Sequence, residues 1–202
     1  LVIIGLLLGG ILKGQEMITQ AKIKNVVNDF NGITAAVNSY QDRYRALPGD
    51  DLGAATRWSV TDLSGNGDGQ FGAVATNKYN TASGTNNLAT ASEVNKFWYH
   101  LRLSGFVAGP TTGVAAGQQP SNAANGIMGV QTTGLDFTSN IICTSNLPDK
   151  IAIAVDTQMD DGSPKGGQVR AMTQAAPNPD IGTAATGYLE TGTNQYLLCK
   201  NL

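Results

Sequence analysis

The sequence predicts an α+β protein, a long N-terminal α-helix packed on a small antiparallel β-sheet domain with a loop-rich surface. Three observations predict it. Apolar residues recur at three- and four-residue spacing from Ile23 to Leu47. Short β-rich runs gather in the C-terminal half, and Gly, Thr, Asn, Ala and Ser fill the stretches between them. Helices followed by strands is the pattern of segregated layers.

The helix comes first. Ile23, Val26, Phe30, Ile33, Val37, Tyr40, Tyr44 and Leu47 form one apolar stripe, with Lys22, Lys24, Asp29, Asn38, Gln41 and Arg45 on other faces. Pro48-Gly49 closes the pattern, because the residue before a proline avoids helical ψ. One helix over 1 to about 46 is therefore expected. Its first twelve residues, "LVIIGLLLGGIL", are apolar or glycine and end at Lys13. Twelve helical residues reach roughly 18 Å, short of the about 30 Å of a bilayer's hydrocarbon core. The run lacks the charged and small-residue flanks of a secretory signal peptide. An all-round apolar helix needs burial that its own domain does not offer. Gly5, Gly9, Gly10 and Gly14 are each unfavourable in a helix by about 1 kcal/mol relative to Ala. They point to close helix–helix approach or to a stretch that loses helical form.

After Pro48, "GDDLGAATRW" predicts a short helix capped by Asp50, and "TDLSGNGDGQFG" a loop. "TASEVNKFWYHLRLSGF" predicts a helix with Thr90 and Glu93 at capping-box spacing, Val94, Phe97, Trp98 and Leu101 inward, and Gly105 as its stop. Residues 108–125 read as an exposed loop. Strands are expected near 126–132 and 135–143, broken by Gly134. "PDKIAIAVDTQMDDG" fits a strand by alternation. A helix is the reading adopted, from Pro148 at its start, Ile151, Val155 and Met159 at four-residue spacing, and Gly162 at its end. "GGQVRAM" and "NQYLLCKN" read as the final strands.

Composition narrows the function. With net charge −2 and 14% charged residues, the chain lacks the clustered cations that phosphate binding requires, so no nucleic acid is expected as a partner. One histidine, His100, and two cysteines leave no zinc set. His100 reads as a packing or surface residue, and no nucleophile stands in context for a triad. "GPTTG" and "KGG" lack phosphate-loop spacing. No enzyme is expected. Cys143 and Cys199 are either two buried thiols or one disulfide tying the C-terminal segment to mid-domain; the disulfide is adopted, and it implies an oxidising compartment.

Two acidic clusters stand out. Asp62, Ser64, Asn66, Asp68 and Gln70 alternate through a Gly-rich stretch. This suits either a turn with Asx hydrogen bonds, the reading adopted, or a calcium site at Asp62, Asn66 and Asp68. Ala73 stands where an EF-hand frame begun at Asp62 would end in an acid. No other cofactor is expected. Asp156, Asp160 and Asp161 form the second cluster, read as solvated or paired with Lys165 or Arg170, with a metal site as the alternative.

"LVIIGLLLGGILKGQEMI" resembles the latter part of the N-terminal segment of bacterial type IV pilins and type II secretion pseudopilins. The family pattern begins with a methylated Phe and Thr-Leu-Ile-Glu, which have no counterpart in this sequence. About nine more apolar residues would bring the run to about 32 Å, a bilayer span. "YRALPGDD", "GNGDG", "EVNKFWYHLRLSGFVAG" and "DTQMDDGSPKGGQVRA" are similar to blocks of pilin-like proteins. The resemblance implies a 1–22 half that serves as membrane anchor and filament core, through Leu1, Val2, Ile3, Ile4, Leu6, Leu7, Leu8, Ile11 and Leu12. It implies a 23–202 globular half that includes the amphipathic part of the helix. The function implied is a homo-oligomeric extracellular filament subunit, held in the inner membrane before assembly and handled by pilus or secretion assembly machinery. The alternatives are a periplasmic pseudopilin or a membrane-anchored ligand-binding module.

Overall fold

The computed structural model describes residues 2–83 and 91–202, with side chains of the first helix described from Leu7 onward. The elements are α1 (Val2–Tyr44), α2 (Ala54–Trp58), α3 (Glu93–Leu103), a 3₁₀ turn (Val114–Gly117), β1 (Met128–Gln131), β2 (Ile141–Pro148), α4 (Asp149–Met159), β3 (Val169–Gln174) and β4 (Gln195–Asn201). The arrangement is α+β. The four strands form one antiparallel sheet in the order β1-β2-β4-β3.

Helix α1 runs for 43 residues. Its stripe is buried from Ile23 through Tyr40, with Val26, Phe30 and Tyr40 fully enclosed. Tyr44 and Leu47 are half-buried at the rim of the same core. Helices α1, α3 and α4 cover one face of the sheet, where Phe30, Trp98, Val130, Ile142, Tyr196 and Leu198 meet. Alternate residues of the same strands, Ile141, Cys143, Leu197 and Cys199, face the other side and pack under Tyr79, Leu135 and Phe137. Both faces of the central strands are thus covered, which is why consecutive apolar residues occur in them, at Ile141-Ile142-Cys143 and Tyr196-Leu197-Leu198-Cys199. Cys143 lies directly opposite Cys199 across the β2–β4 ladder, and the two form a disulfide that spans 56 residues of sequence.

The structure departs from expectation in several places. The second strand does not begin at 135, because Gly134, Leu135 and Asp136 all have positive φ and turn the chain; pairing starts at Ile141. Residues 108–125 are not simply an exposed loop. Arg102 donates to the carbonyls of Ala115 and Ala116, and Asn122 donates to Thr144 and Ser145. Gln119 donates to the carbonyls of Tyr79 and Thr81, and Ala116, Gln119 and Asn122 are buried. Helix α2 is capped by Gly53 and not by Asp50. Ser92 occupies the N-cap position of α3 without a side-chain bond to the helix amides, its hydroxyl donating to Asn95 Oδ1, and Glu93 turns away to accept from the Asn66 amide; Thr90 lies outside the described residues.

Candidate functional site

Among the described residues, most of the exposed large hydrophobic side chains lie on the N-terminal half of α1. Leu7, Leu8, Ile11 and Leu12 are 56–65% exposed, as are Met17 and Ile18 farther along. Such side chains clustered on one helix form an apolar patch of the kind that marks an interaction surface. Of the other proposed core residues, Leu1 lies outside the described residues. Val2, Ile3, Ile4 and Leu6 belong to the helix, but their side chains are not described. A Cβ added at Gly9, Gly10 or Gly14 would meet nothing within 4 Å. Among the described residues, nothing therefore requires glycine there. Lys13 and Glu16 form an ion pair at 3.2 Å with both partners largely exposed, which contributes little. Among the described residues, no helix is long and apolar enough to cross a membrane.

The Gly-rich loop after α2 is organised from a distance. The Asp50 carboxylate, 4% exposed, accepts the amides of Gly67 and Asp68 on Oδ1 and of Gly69 on Oδ2. Asp68 accepts from Gln70 N–H through Oδ1, while Asn66 Oδ1 accepts from Asp68 N–H. These are the Asx-type bonds expected of such a turn. Carboxylate oxygens of Asp50, Asp68 and Glu93 come within 4.8 Å of one another. The sequence reading named Asp62, Asn66 and Asp68 for this locality. The structure gathers only Asp68 of these with other acids; Asn66 adjoins it through hydrogen bonds, and Asp62 is not in the group. Asp50 and Glu93 were missed because each was read as a local helix cap. Burial, with Asp50 and Asp68 nearby, pushes the Glu93 carboxyl above its usual range. Oxygen donors of this kind suit a hard cation. The Asp50 oxygens are already occupied by three backbone amides, whereas the buried Glu93 Oε2 accepts no hydrogen bond.

His100 ties this loop region to α1. It is fully buried. The Gly49 amide donates to its Nδ1 at 2.9 Å. An amide can only donate, so Nδ1 is the acceptor and Nε2 carries the proton, directed at the Leu63 carbonyl 2.9 Å away. Gly49 itself sits at φ +93°, with the Glu93 carbonyl 2.6 Å from where a Cβ would stand. Beside it, Tyr40 and Arg57 both donate to Asp51. Burial pushes the Asp51 carboxyl up, but the bonds from Arg57 and Tyr40 outweigh it and leave it below the usual range.

Burial pushes His100 down to about 4. The folded state thus holds this proton more weakly than the unfolded chain does. The stabilisation is complete above the ordinary value near 6.5 and is lost as pH falls from there toward 4. The gap corresponds to roughly 3 kcal/mol. Glu93 and Asp156, whose carboxyls are raised chiefly by burial, run the opposite way. The expected result is therefore a difference: denaturant midpoints of the wild type should fall more steeply between pH 7 and pH 4.5 than those of His100→Gln. Equal slopes would show that the ring is not held neutral.

The second acidic cluster lies where α4 ends. Oxygens of Asp156, Asp160 and Asp161 lie within 4.8 Å of one another. Of the two readings, solvated or paired, pairing with Lys165 or Arg170 does not occur, while Asp161 is exposed and Asp156 is buried. Arg170 donates to the Leu135 carbonyl and lies over the Phe137 ring. Among the described residues, none of the ion pairs includes any of the three aspartates. Tyr188, absent from the sequence reading, donates its hydroxyl to Asp156 Oδ2 at 2.6 Å.

No family model, curated protein or solved structure matches the chain.

Proposed function

We propose that this chain is a non-enzymatic structural subunit that polymerises through its N-terminal helix into an extracellular filament of the type IV pilin kind. One observation carries the reading. A single helix is buried in its own domain from Ile23 onward, while Leu7, Leu8, Ile11, Leu12, Met17 and Ile18 remain exposed ahead of it. An apolar rod on a folded head is satisfied by a bilayer or by copies of itself. In a filament, the rods bundle at the axis and the heads coat the outside. Contacts that repeat without closing build a helix of subunits. Burying roughly 1,000 Å² of apolar surface per rod is worth on the order of 25 kcal/mol before the costs of association. The sites of Gly9, Gly10 and Gly14, open in the monomer, leave room for a neighbouring rod to approach closely.

The apolar rod is also the part that would sit in the inner membrane before assembly, and pilus or secretion machinery is the partner this route requires. The test is negative-stain electron microscopy of native surface extracts. Filaments thicker than one subunit, containing this chain, are expected. Dispersed monomers under the same gentle extraction would overturn the reading.

A further inference from the structure

We propose that Asp156, Asp160 and Asp161, where α4 runs into the following turn, form a binding site for a hard divalent cation of the calcium class. The inference is independent of filament assembly and rests on the head domain alone.

Electrostatics supplies the first argument. Three carboxylates converge with oxygens within 4.8 Å of one another, and among the described residues no Lys or Arg pairs with any of them. Their place compounds the repulsion. α4 ends at Met159 with Asp160 as its C-cap, and the C-terminal end of a helix carries partial negative charge, which disfavours anions. Three acids gathered there without a counter-charge are an arrangement that a bound cation resolves.

The second argument is a buried oxygen without a partner. Asp156 is fully buried. Its Oδ2 accepts from the Tyr188 hydroxyl, but its Oδ1, also enclosed, accepts no hydrogen bond of normal geometry, although the Gly162 amide lies near the carboxylate. Leaving such an atom unsatisfied is unfavourable by about 1–3 kcal/mol, and more when the group is charged. A cation shared with Asp160 and Asp161 would satisfy it.

The geometry of the turn is already set. Asp160 Oδ2 accepts the amides of Gln168 and Val169, and Asp161 Oδ1 accepts the amide of Ser163 at 2.8 Å. These bonds fix one oxygen of each carboxylate and leave Asp160 Oδ1 and Asp161 Oδ2 without a protein donor among the described residues. The chain passes so close to Asp160 that a Cβ at Gly167, where φ is +66°, would collide with its carboxylate. The donor set is oxygen only, with no imidazole or thiolate. That favours calcium, which takes six to eight oxygens in flexible geometry and completes its shell with water, over zinc.

The experiment uses the full chain in detergent. Thermal unfolding is followed with calcium chloride and with chelator, and terbium luminescence is excited through tyrosine, since Tyr188 adjoins Asp156. Calcium at about a hundredfold excess over its Kd should raise Tm by roughly 5–10 °C. Terbium should bind one ion at this turn and be displaced by calcium. Asp156→Asn keeps the shape and should abolish both signals. Exposed Asp161→Asn should abolish or weaken them at least tenfold even if the first variant folds poorly. Asp68→Asn, at the other acidic loop, should leave both intact. The absence of a calcium shift in the wild type would overturn the proposal. So would a shift that survives Asp156→Asn and Asp161→Asn, or one lost in Asp68→Asn.

Discussion

The double substitution Leu7→Asp/Ile11→Asp is expected to yield a folded chain that forms no filaments. The two positions are four apart and share one helix face, and both are more than half exposed in the monomer. The domain core starts at Ile23, so the thermal midpoint of the head and its circular dichroism should match the wild type. In a bundle of apolar rods the same aspartates would be buried without partners. Desolvating such a charge is unfavourable by several kcal/mol per subunit, and every copy in the filament would bear it. The measurement is filament yield by electron microscopy and sedimentation, paired with a melting curve. Wild-type yield would remove the N-terminal rod from the filament core. An altered melting curve would mean that the rod supports the head, which the exposed side chains argue against.

Cys143→Ala/Cys199→Ala is expected to lower Tm by roughly 10 °C. The bridge joins β2 to β4, the two central strands of the sheet. Closing a 56-residue separation restricts the unfolded chain by about 4 kcal/mol in the loop-entropy model, within the about 2–5 kcal/mol range for native disulfides in small domains. For a chain of this size each kcal/mol moves Tm by about 2–4 °C. Alanine is the right replacement, since both positions are fully buried and serine would add an unpaired hydroxyl. Wild-type protein under strong reductant should approach the same midpoint. A drop smaller than about 2 °C in the variant would show that the sheet holds these strands together without the bond.

Local periodicity made much of this architecture legible. The stripe from Ile23 to Tyr40 specified α1, and Ile151, Val155 and the closing Gly162 specified α4 against the competing strand. Val94, Phe97, Trp98 and Leu101 gave the inward face of α3, and all four are buried. The disulfide across 56 residues was also legible, because the chain has only two cysteines; what failed was side-chain hydrogen bonding between residues distant along the chain. Asp50 and Glu93 looked like caps of the helices beside them. Asp50 instead accepts amides 17 to 19 residues away, and Glu93 accepts one 27 residues away. The start of β2 was misplaced because Leu135 and Asp136 take positive φ, a conformation that Asp tolerates but Leu does not announce. The cluster at Asp156 could be seen as three letters, but not its link to Tyr188, 32 residues on. The pairing with Lys165 or Arg170 was plausible in one dimension only, since Arg170 is occupied by Leu135 and Phe137.

The strand order has a consequence for biogenesis. β4, residues Gln195–Asn201, lies between β2 and β3 and hydrogen-bonds to both. No nascent chain can complete the sheet until these residues have left the ribosome. Until then β2 and β3 present unpaired edges that invite association with the wrong neighbour. A nonsense codon ahead of residue 195 would remove the middle of the sheet and not its margin, leaving an aggregation-prone head on a greasy stem. Quality-control proteases would meet that product as unfolded.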